Sequence, residues 1–287
     1  MVKKEEIFPI GIGTWKIDPE NFDADLKALV HSYEMGQNYL SLYMLYNGGS
    51  VVRQMRKFVD IVGRENLFIN ANLEPTIEKQ DDIESQLNEY LKILGVDYVD
   101  SFQLHSPFFT SLPLIDAYRE IRRLVGMGKV HYIGISNANM EQLSRIEKEV
   151  KVDFFEGVYN LECKIYEDTG VIDYCHEYRK SFVAYQPLRR NRTAMRNYPV
   201  LVELAEEYHK TQNQVLLNWI IKEKKLVTLV KSTNIERIDE NVGALDFEMD
   251  RTDYAKLNFF RSKEFDDIQV GWDGTGVTID QLANQFD

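Results

Sequence analysis

The feature that most constrains the fold is the repeated alternation of short β-branched or aromatic runs with longer amphipathic stretches. Eight runs are predicted to be strands: Ile10–Trp15, Tyr39–Leu42, Leu67–Ala71, Val99–Leu104, Val130–Ser136, Phe154–Tyr159, Ser181–Tyr185 and Val227–Val230. Helices are predicted at Asp25–Met35, Val51–Phe58, Gln80–Leu94, Leu114–Val125, Met140–Glu149, Val171–Arg179, Pro199–Tyr208, Gln212–Glu223 and Ile235–Val242. Strand and helix alternating in this way are typical of a parallel sheet, and eight strands favour a closed barrel. The sequence therefore predicts an α/β fold, a (β/α)8 TIM barrel.

The length of the chain agrees with one such barrel. Its 287 residues, 44% of them hydrophobic, are enough for one large core, and a barrel would use nearly all of them. No low-complexity linker, short-period repeat or composition break marks a second domain, so we expect a single barrel domain over 1–287 with an irregular tail at 262–287. Gly36, Gly95 and Gly126 follow helical patterns, where we expect left-handed C-caps.

Composition excludes several classes of partner and site. The formal net charge of −12 disfavours nucleic acid and anionic membranes, although a local basic pocket for phosphate is compatible with it. No run reaches the roughly 18 to 20 apolar residues of a membrane span, and the start MVKKEEIF lacks the apolar stretch of a signal peptide, so we expect a cytoplasmic protein. Cys163 and Cys175 lack metal-ligand spacing and are expected to be reduced thiols.

The chemistry of a parallel barrel lies at the carboxyl ends of its strands. Those ends carry mostly polar and aromatic residues and few carboxylates: Thr14, Trp15, Tyr43, Tyr46, Asn72, His105, Ser136, Asn137, Tyr159, Asn160, Tyr185, Gln186, Lys231 and Ser232. The sequence contains no HExxH, CxxC pair, acidic metal cluster, Walker loop or GxSxG elbow. Metal-dependent hydrolysis, phosphoryl transfer by a P-loop and esterase chemistry therefore lack their minimum parts, and we predict no metal site.

Six sequence blocks together resemble the aldo-keto reductase superfamily, from about Ile10 to Phe259. They are GIGTW at 11–15, GxNYL at 36–40, LGVDYVDSFQLH at 94–105, GKVHYIGISN at 128–137, AYQPL at 184–188 and KSTNIERIDEN at 231–241. The blocks occur in the family's order and at its spacing. The resemblance implies a barrel that holds NADP(H) across its mouth and reduces carbonyl compounds with an Asp/Tyr/Lys/His tetrad.

The resemblance carries over only half of that tetrad. The family segment Asp-Thr-Ala-x-x-Tyr aligns with residues 41–46, which keeps the tyrosine as Tyr46 and replaces the aspartate with Ser41. The family lysine aligns with Asn72, and the histidine is kept as His105. Without the ammonium group, Tyr46 should be a poorer acid near neutral pH. Replacing both charged partners at once leaves no uncompensated charge behind.

The cofactor side matches the family more closely. The resemblance assigns Ser136 and Asn137 to the nicotinamide carboxamide and Tyr185 to stacking on the ring. Glu156 stands where the family usually has glutamine, and its carboxylate could accept from the carboxamide amine but not donate to it. The remaining cofactor assignments are Thr14 and Trp15 at the end of the first strand, Lys231, Ser232, Thr233 and Arg237 for the adenosine 2′-phosphate, and Glu240 and Asn241 for adenine. The planar fork of Arg237 favours NADP over NAD.

Each assignment has a plainer alternative. His105 could be a packed barrel histidine, and Tyr46 and Tyr185 could be core aromatics. The segment at 231–241 could be merely a capped surface helix, since Ser, Thr and Asn suit N-caps. Glu156 could be a neutral replacement or a new catalytic acid or base. Arg189 and Arg190 stand where the family has glycines, and they could bind phosphate or block the usual path of the pyrophosphate.

Three functions are therefore compatible with the sequence. The first is an NADP(H)-dependent oxidoreductase of a small carbonyl compound with an altered acid/base set. The second is a cofactor-binding sensor or regulatory subunit with a protein partner and no turnover, and the third is a non-redox lyase, isomerase or dehydratase. We expect Ser41→Asp combined with Asn72→Lys to raise aldehyde reduction, and either change alone to leave an unpaired charge. Phe108, Phe109 and Trp272 are candidate substrate-lining residues.

Overall fold

A computed structural model describes residues 2–17, 20, 22–74, 77–105 and 112–262 of the chain. The expected irregular tail lies outside the described residues from position 263 onward. Phe108, Phe109 and Trp272 lie outside them as well.

Eight parallel strands close into a barrel in sequence order, which confirms the predicted (β/α)8 fold. Each strand pairs with its neighbours along the chain, and the first strand pairs with the last. The strands are β1 Ile10–Gly13, β2 Tyr39–Tyr43, β3 Phe68–Leu73, β4 Val99–Leu104, β5 Val130–Ser136, β6 Phe154–Val158, β7 Ser181–Tyr185 and β8 Val227–Val230. The predicted first strand ends two residues early, so Thr14 and Trp15 belong to the loop at the barrel mouth.

Twelve α-helices accompany these strands within the described part of the chain. They are α1 Phe22–Glu34, α2 Ser50–Val62, α3 Gln80–Leu94, α4 Leu114–Gly126, α5 Met140–Glu147, α6 Ile165–Asp168, α7 Val171–Glu177, α8 Arg192–Met195, α9 Pro199–Glu207, α10 Gln212–Asn218, α11 Ile235–Val242 and α12 Arg251–Phe259. The predicted helix at Gln212–Glu223 changes from α to a π-helical turn at Trp219. The sequence patterns missed α6, α8 and α12. The first two are single turns of four residues within the β6–β7 and β7–β8 connections, and α12 follows the last strand.

Two of the three predicted left-handed glycines are confirmed. Gly36 has φ +100° and Gly95 has φ +65°, and a Cβ at Gly95 would lie 1.6 Å from the Arg56 guanidinium. The prediction for Gly126 is wrong: it is the last residue of α4, and Gly128 takes the positive φ of 74° instead. The helix includes Gly126 and is capped by Met127, so Gly128 makes the left-handed turn that precedes β5.

Side chains of the strands alternate between the barrel interior and the surrounding helices. In β2, Leu40 and Leu42 pack in the core shared with the helices, whereas Tyr39 belongs to a second cluster inside the barrel. This interior cluster is aromatic, because Tyr39 stacks on Phe68 with ring centroids 5.3 Å apart and Phe68 contacts Phe154 at 5.1 Å. Above it, toward the carboxyl ends of the strands, the interior positions become polar.

Three further observations concern the described residues. No helix in the described ranges is both long enough and apolar enough to cross a membrane. Across the same ranges, no three His, Cys, Asp or Glu side chains come together as a metal site would require. Cys163 and Cys175 are both buried free thiols.

Candidate active site

Tyr46 and His105 lie at the carboxyl end of the barrel, with a third aromatic ring between them. Tyr46 begins a 3-10 turn just after β2, and His105 directly follows β4. Tyr43 stacks face to face on His105, with centroids 4.2 Å apart, and meets Tyr46 edge-on at 5.2 Å. The family segment has alanine at the position aligned with Tyr43, so this chain has a bulky ring between the two residues predicted to be catalytic.

The electrostatic state of these side chains follows from burial. Burial lowers the pKa of His105 to about 4, so its imidazole is neutral near pH 7. Its Nδ1 is buried and has no hydrogen-bond partner among the described residues. Burial also raises the pKa of Tyr46, and the negative charge of Glu156 raises it further. The phenol is therefore held neutral, and no nearby cation eases its deprotonation in the described structure.

Ser41 and Asn72, the positions aligned with the family's aspartate and lysine, are neighbours across β2 and β3. The Nδ2 of Asn72 lies 3.4 Å from the Ser41 hydroxyl and donates to the Leu42 carbonyl at 3.0 Å. The Oδ1 of Asn72 accepts from Gln103 Nε2 at 2.8 Å. A hydroxyl and two amides thus meet at these positions, and they bond one another and the backbone.

A carboxylate is nevertheless present in this layer, because Glu156 of β6 turns into the barrel interior. Its Oε2 accepts from Asn70 Nδ2 at 3.0 Å and from Gln103 Nε2 at 3.2 Å. Only 6% of the residue is exposed. Burial raises the pKa of Glu156 to about 7, and hydrogen bonds from Gln103 and Ser41 limit the rise. The sequence assigned Glu156 to the cofactor; the described structure commits its side chain to neutral donors on three other strands.

Asn70 and Gln103 were missed by the sequence analysis, although a signal for them exists. Asn70 is two residues before Asn72 and Gln103 is two residues before His105, so the two-residue period of a strand puts each on the same face as a recognised site position. Gly134 gives the glutamine its space, because a Cβ there would lie 2.4 Å from Gln103 Oε1. The buried Oδ1 of Asn70 has no partner among the described residues.

Asn137 connects the predicted nicotinamide-side residues. Its backbone is left-handed, with φ 55°, and its N–H donates to the Glu156 carbonyl at 3.0 Å. Its side chain donates to the His105 carbonyl at 2.9 Å and accepts from the Tyr185 hydroxyl at 2.7 Å. The neighbouring Ser136 hydroxyl is buried and unpartnered within the described ranges, so it fits a polar ligand group such as a carboxamide.

At the first strand's end, Thr14 and Trp15 make contacts within the protein. The Thr14 hydroxyl donates to the Ser41 carbonyl at 2.7 Å. The Arg190 guanidinium lies 3.9 Å from the centroid of the Trp15 ring, and Lys16 Nζ lies 4.6 Å from it. Arg190 belongs to three successive left-handed residues, from 189 to 191, with φ of 48°, 57° and 70°. Arginine thus covers the tryptophan at the edge of the mouth.

The predicted phosphate-binding residues gather at the start of α11. Lys231, Ser232 and Thr233 follow β8, and Asn234 N-caps the helix by accepting from the Arg237 N–H at 2.9 Å. The Arg237 side chain is exposed. An exposed guanidinium near the positive end of a helix fits a phosphate. In contrast, Glu240 accepts from the Thr211 hydroxyl at 2.6 Å, and Asn241 is buried.

The comparisons with known proteins concern the family and the fold. The model of the aldo/keto reductase family matches residues 9–261. Mouse aldo-keto reductase family 1 member A1 is 26% identical over 280 residues, which cover 87% of this chain and 84% of that protein.

Solved structures are similar over the same span. The thermostable aldo-keto reductase Tm1743, in complex with the inhibitor epalrestat, is 27% identical with a TM-score of 0.81, and the match covers 88% of this chain and 94% of that one. A silkworm aldo-keto reductase complexed with NADPH is 24% identical with a TM-score of 0.79, covering 88% and 84%. Because the family match spans most of the sequence and the barrel, this chain belongs to the aldo/keto reductase family.

Proposed function

We propose that the protein reduces a small carbonyl compound with NADPH, and that Tyr46 and His105 bind the carbonyl oxygen. The observation that carries the proposal is the position of Asn137, which joins His105 to Tyr185 beside the unpartnered Ser136 hydroxyl. Carbonyl reduction with NADP(H) is the general activity of the family to which the chain belongs. A silkworm relative of the same fold has been solved with NADPH.

The residues that would hold the cofactor follow the predicted assignment, except Glu156, whose carboxyl bonds Asn70 and Gln103. Ser136 and Asn137 would bind the carboxamide, and the half-buried ring of Tyr185 would stack on the nicotinamide. The other groups would be Thr14 and Trp15 at the mouth, Lys231, Ser232, Thr233 and Arg237 at the 2′-phosphate, and Glu240 and Asn241 at adenine. When bound, NADPH supplies the hydride that reaches the carbonyl carbon.

The chain's own contribution is to polarise the carbonyl and to supply the proton. The Tyr46 hydroxyl donates its proton to the carbonyl oxygen as the carbon is reduced, and bulk water returns a proton to the phenolate. Neutral His105 orients the oxygen through a ring N–H and adds no charge. Because both burial and Glu156 raise the pKa of Tyr46, we expect slower reduction than a site with a lysine would give.

The first test separates cofactor binding from turnover. Titration of the purified protein should give a Kd for NADPH lower than that for NADH, and Arg237→Ala should weaken NADPH binding by roughly tenfold while leaving NADH binding unchanged. Arg251→Ala, at an exposed position that begins α12, is the control and should change neither Kd. Equal loss of affinity for both coenzymes would contradict the assignment of Arg237.

The second test concerns the chemistry. Oxidation of NADPH should accompany reduction of at least one compound in a panel of aldehydes, ketones and keto sugars, and Tyr46→Phe should abolish it without changing the Kd for NADPH. Failure of the whole panel, with NADPH binding intact, would refute the reductase.

One observation favours a second candidate, a cofactor-binding regulatory protein without turnover. Tyr43 is only 6% exposed and covers a face of His105, so it narrows the place where a carbonyl would bind. If the narrowing prevents turnover, Tyr43→Ala should produce measurable reduction of bulky aldehydes, whereas Tyr43→Phe should not. If wild-type protein already reduces small aldehydes, the regulatory candidate is excluded, and Tyr43→Ala should lower the KM mainly for bulky substrates.

A further inference from the structure

The polar interior layer is organised around one carboxyl group whose role the proposed reduction does not use. Glu156 accepts hydrogen bonds from Asn70 of β3 and Gln103 of β4, and it is also bonded by Ser41 of β2. These three donors are neutral and buried. Tyr39, Phe68 and Phe154 of the interior aromatic cluster stand two residues before Ser41, Asn70 and Glu156 on the same strands, so the polar side chains form a separate layer above it.

We propose that Glu156 is a positioning residue for proton transfer: its ionisation sets how readily Tyr46 gives up its proton, in place of the carboxylate and ammonium pair that the site lacks. This inference rests on the proposed reduction for its effect on rate. Its electrostatic part, the coupling of Glu156 to Tyr46, holds with or without turnover.

The direction of the effect follows from charge. Gln103 Nε2 donates to Glu156 Oε2 at 3.2 Å and to Asn72 Oδ1 at 2.8 Å, so the carboxyl belongs to the same hydrogen-bond network as the position aligned with the family lysine. A carboxylate there makes a nearby phenolate less favourable and so raises the pKa of Tyr46. When Glu156 is protonated, this opposition disappears and Tyr46 becomes a better proton donor. The reduction rate should therefore rise as the pH falls through the pKa of Glu156, which burial raises to about 7.

Among the described residues, the charged group that acts on Tyr46 is Glu156, whereas Glu74 acts on the neighbouring Tyr43. Among the described titratable residues around Glu156, burial raises the pKa values of Tyr39 and Tyr185 well above their usual range, so both are neutral. His105, beyond Tyr43, is neutral above about pH 4. The other described side chains that bond the carboxyl are amides and a hydroxyl, and no described cation contributes to its ionisation.

The electrostatic part can be tested without substrate. In protein labelled with 13C at the ring carbon that bears the tyrosine hydroxyl, the Tyr46 NMR signal is identified by its loss in Tyr46→Phe. That signal should shift with a midpoint near pH 7 in the wild type. The shift should be absent in Glu156→Gln and unaltered in Glu141→Gln, which makes the same chemical change at an exposed site on α5. A Tyr46 signal that does not change between pH 5 and 9, or that changes equally in Glu156→Gln, would overturn the proposal.

A second variant distinguishes positioning from mere packing. Gln103→Leu removes a hydrogen bond that favours the charged carboxylate, so the midpoint should move to higher pH. A residue with only a structural role would give no such directed shift, and a downward shift would contradict the inference.

The kinetic consequence separates this inference from the proposed function. Glu156→Gln should reduce aldehydes up to about tenfold faster than wild type at pH 8, the change that one pKa unit in Tyr46 would give, with the ratio approaching one at pH 6. A wild-type pH profile that persists in Glu156→Gln would refute Glu156 as its source. Absence of any turnover would refute the reductase, and the NMR titration would then decide the coupling alone.

Discussion

Two buried glutamates in this barrel have opposite surroundings. Glu162, in the loop after β6, accepts from Arg189, from Arg196 at 3.0 Å and from the Tyr198 hydroxyl at 2.7 Å. Glu156 has only amide and hydroxyl donors. The first carboxylate is neutralised by arginines and ties the loop after β7 to the barrel. The second lacks a compensating cation, so its proton is held at higher pH and its charge can respond to conditions.

The largest expected effect is on the arginine-bound glutamate. Glu162→Ala should lower the free energy of unfolding by roughly 3 kcal/mol, because it removes the buried carboxylate that pairs with the largely buried Arg189 and the partly exposed Arg196. Urea denaturation measures the change. Glu203→Ala, which breaks an exposed pair with Lys256, should lower it by less than about 1 kcal/mol. Similar losses in the two variants would contradict the stabilising role assigned to the pairs of Glu162 with Arg189 and Arg196.

The second prediction concerns Glu156, whose protonation should make the free energy of unfolding depend on pH. Glu156 has a folded-state pKa of about 7, above the 4.5 expected when unfolded, so the folded protein holds the extra proton between these values. The stability of the wild type should therefore fall as the pH rises from about 4.5 through 7. The amide of Glu156→Gln does not titrate. The free energy of unfolding of this variant, relative to that of the wild type, should therefore increase by on the order of 3 kcal/mol between pH 4 and pH 8.

This gain is measured by urea denaturation at both pH values, with Glu141→Gln as the control. Stability curves of wild type and Glu156→Gln that run parallel from pH 4 to pH 8 would show that the buried carboxyl does not titrate in this range.

A cation placed beside Glu156 should make its surroundings resemble those of the arginine-bound Glu162. Gln103 Nε2 bonds both Asn72 Oδ1 at 2.8 Å and Glu156 Oε2 at 3.2 Å, so a lysine at position 72 lies within reach of the carboxylate. We therefore expect Asn72→Lys alone to raise aldehyde reduction by roughly tenfold or more, by making Tyr46 a better acid. The sequence analysis instead expected Asn72→Lys alone to leave an unpaired charge, because it did not place Glu156 near position 72.

Two variants sharpen the test of Asn72→Lys by steady-state kinetics. Asn72→Met matches the length without the charge and should not raise the rate. Ser41→Asp places a second carboxylate near Glu156 and should reduce stability. If the rate rises only in the Ser41→Asp, Asn72→Lys double variant, then Glu156 does not serve as the partner of the lysine.

The smallest effect concerns the space that the interior network needs. Gly134→Ala should force Gln103 away from its position and lower stability by about 1 kcal/mol, since the new Cβ would lie 2.4 Å from Gln103 Oε1. Gly126→Ala is the matched control: no neighbour lies within 4 Å and the position is helical, so stability should stay equal or rise slightly. Equal thermal unfolding of the two variants would show that Gln103 is not held where described.

Much of the fold could be predicted because its signals are local. The eight strands are marked by β-branched and aromatic runs, and Gly36 and Gly95 mark helix ends by their need for positive φ. The error at Gly126 is local too: two glycines stand two residues apart, and only the packing of α4 against β5 decides which one turns. The short helices α6 and α8 lack the length over which periodicity can be recognised.

The site divides along a similar line. The sequence alone determined the barrel and the strand ends at which Tyr46, His105 and Ser136 stand, and it predicts that Ser41 and Asn72 replace the family's aspartate and lysine. Only the tertiary structure brought Glu156 to Asn70 and Gln103, which are 86 and 53 residues away in the chain, and only it stacked Tyr43 on His105. The physical reason is that residue type and spacing fix which groups a strand can present, whereas the ionisation and packing of a buried group depend on partners that barrel closure alone supplies.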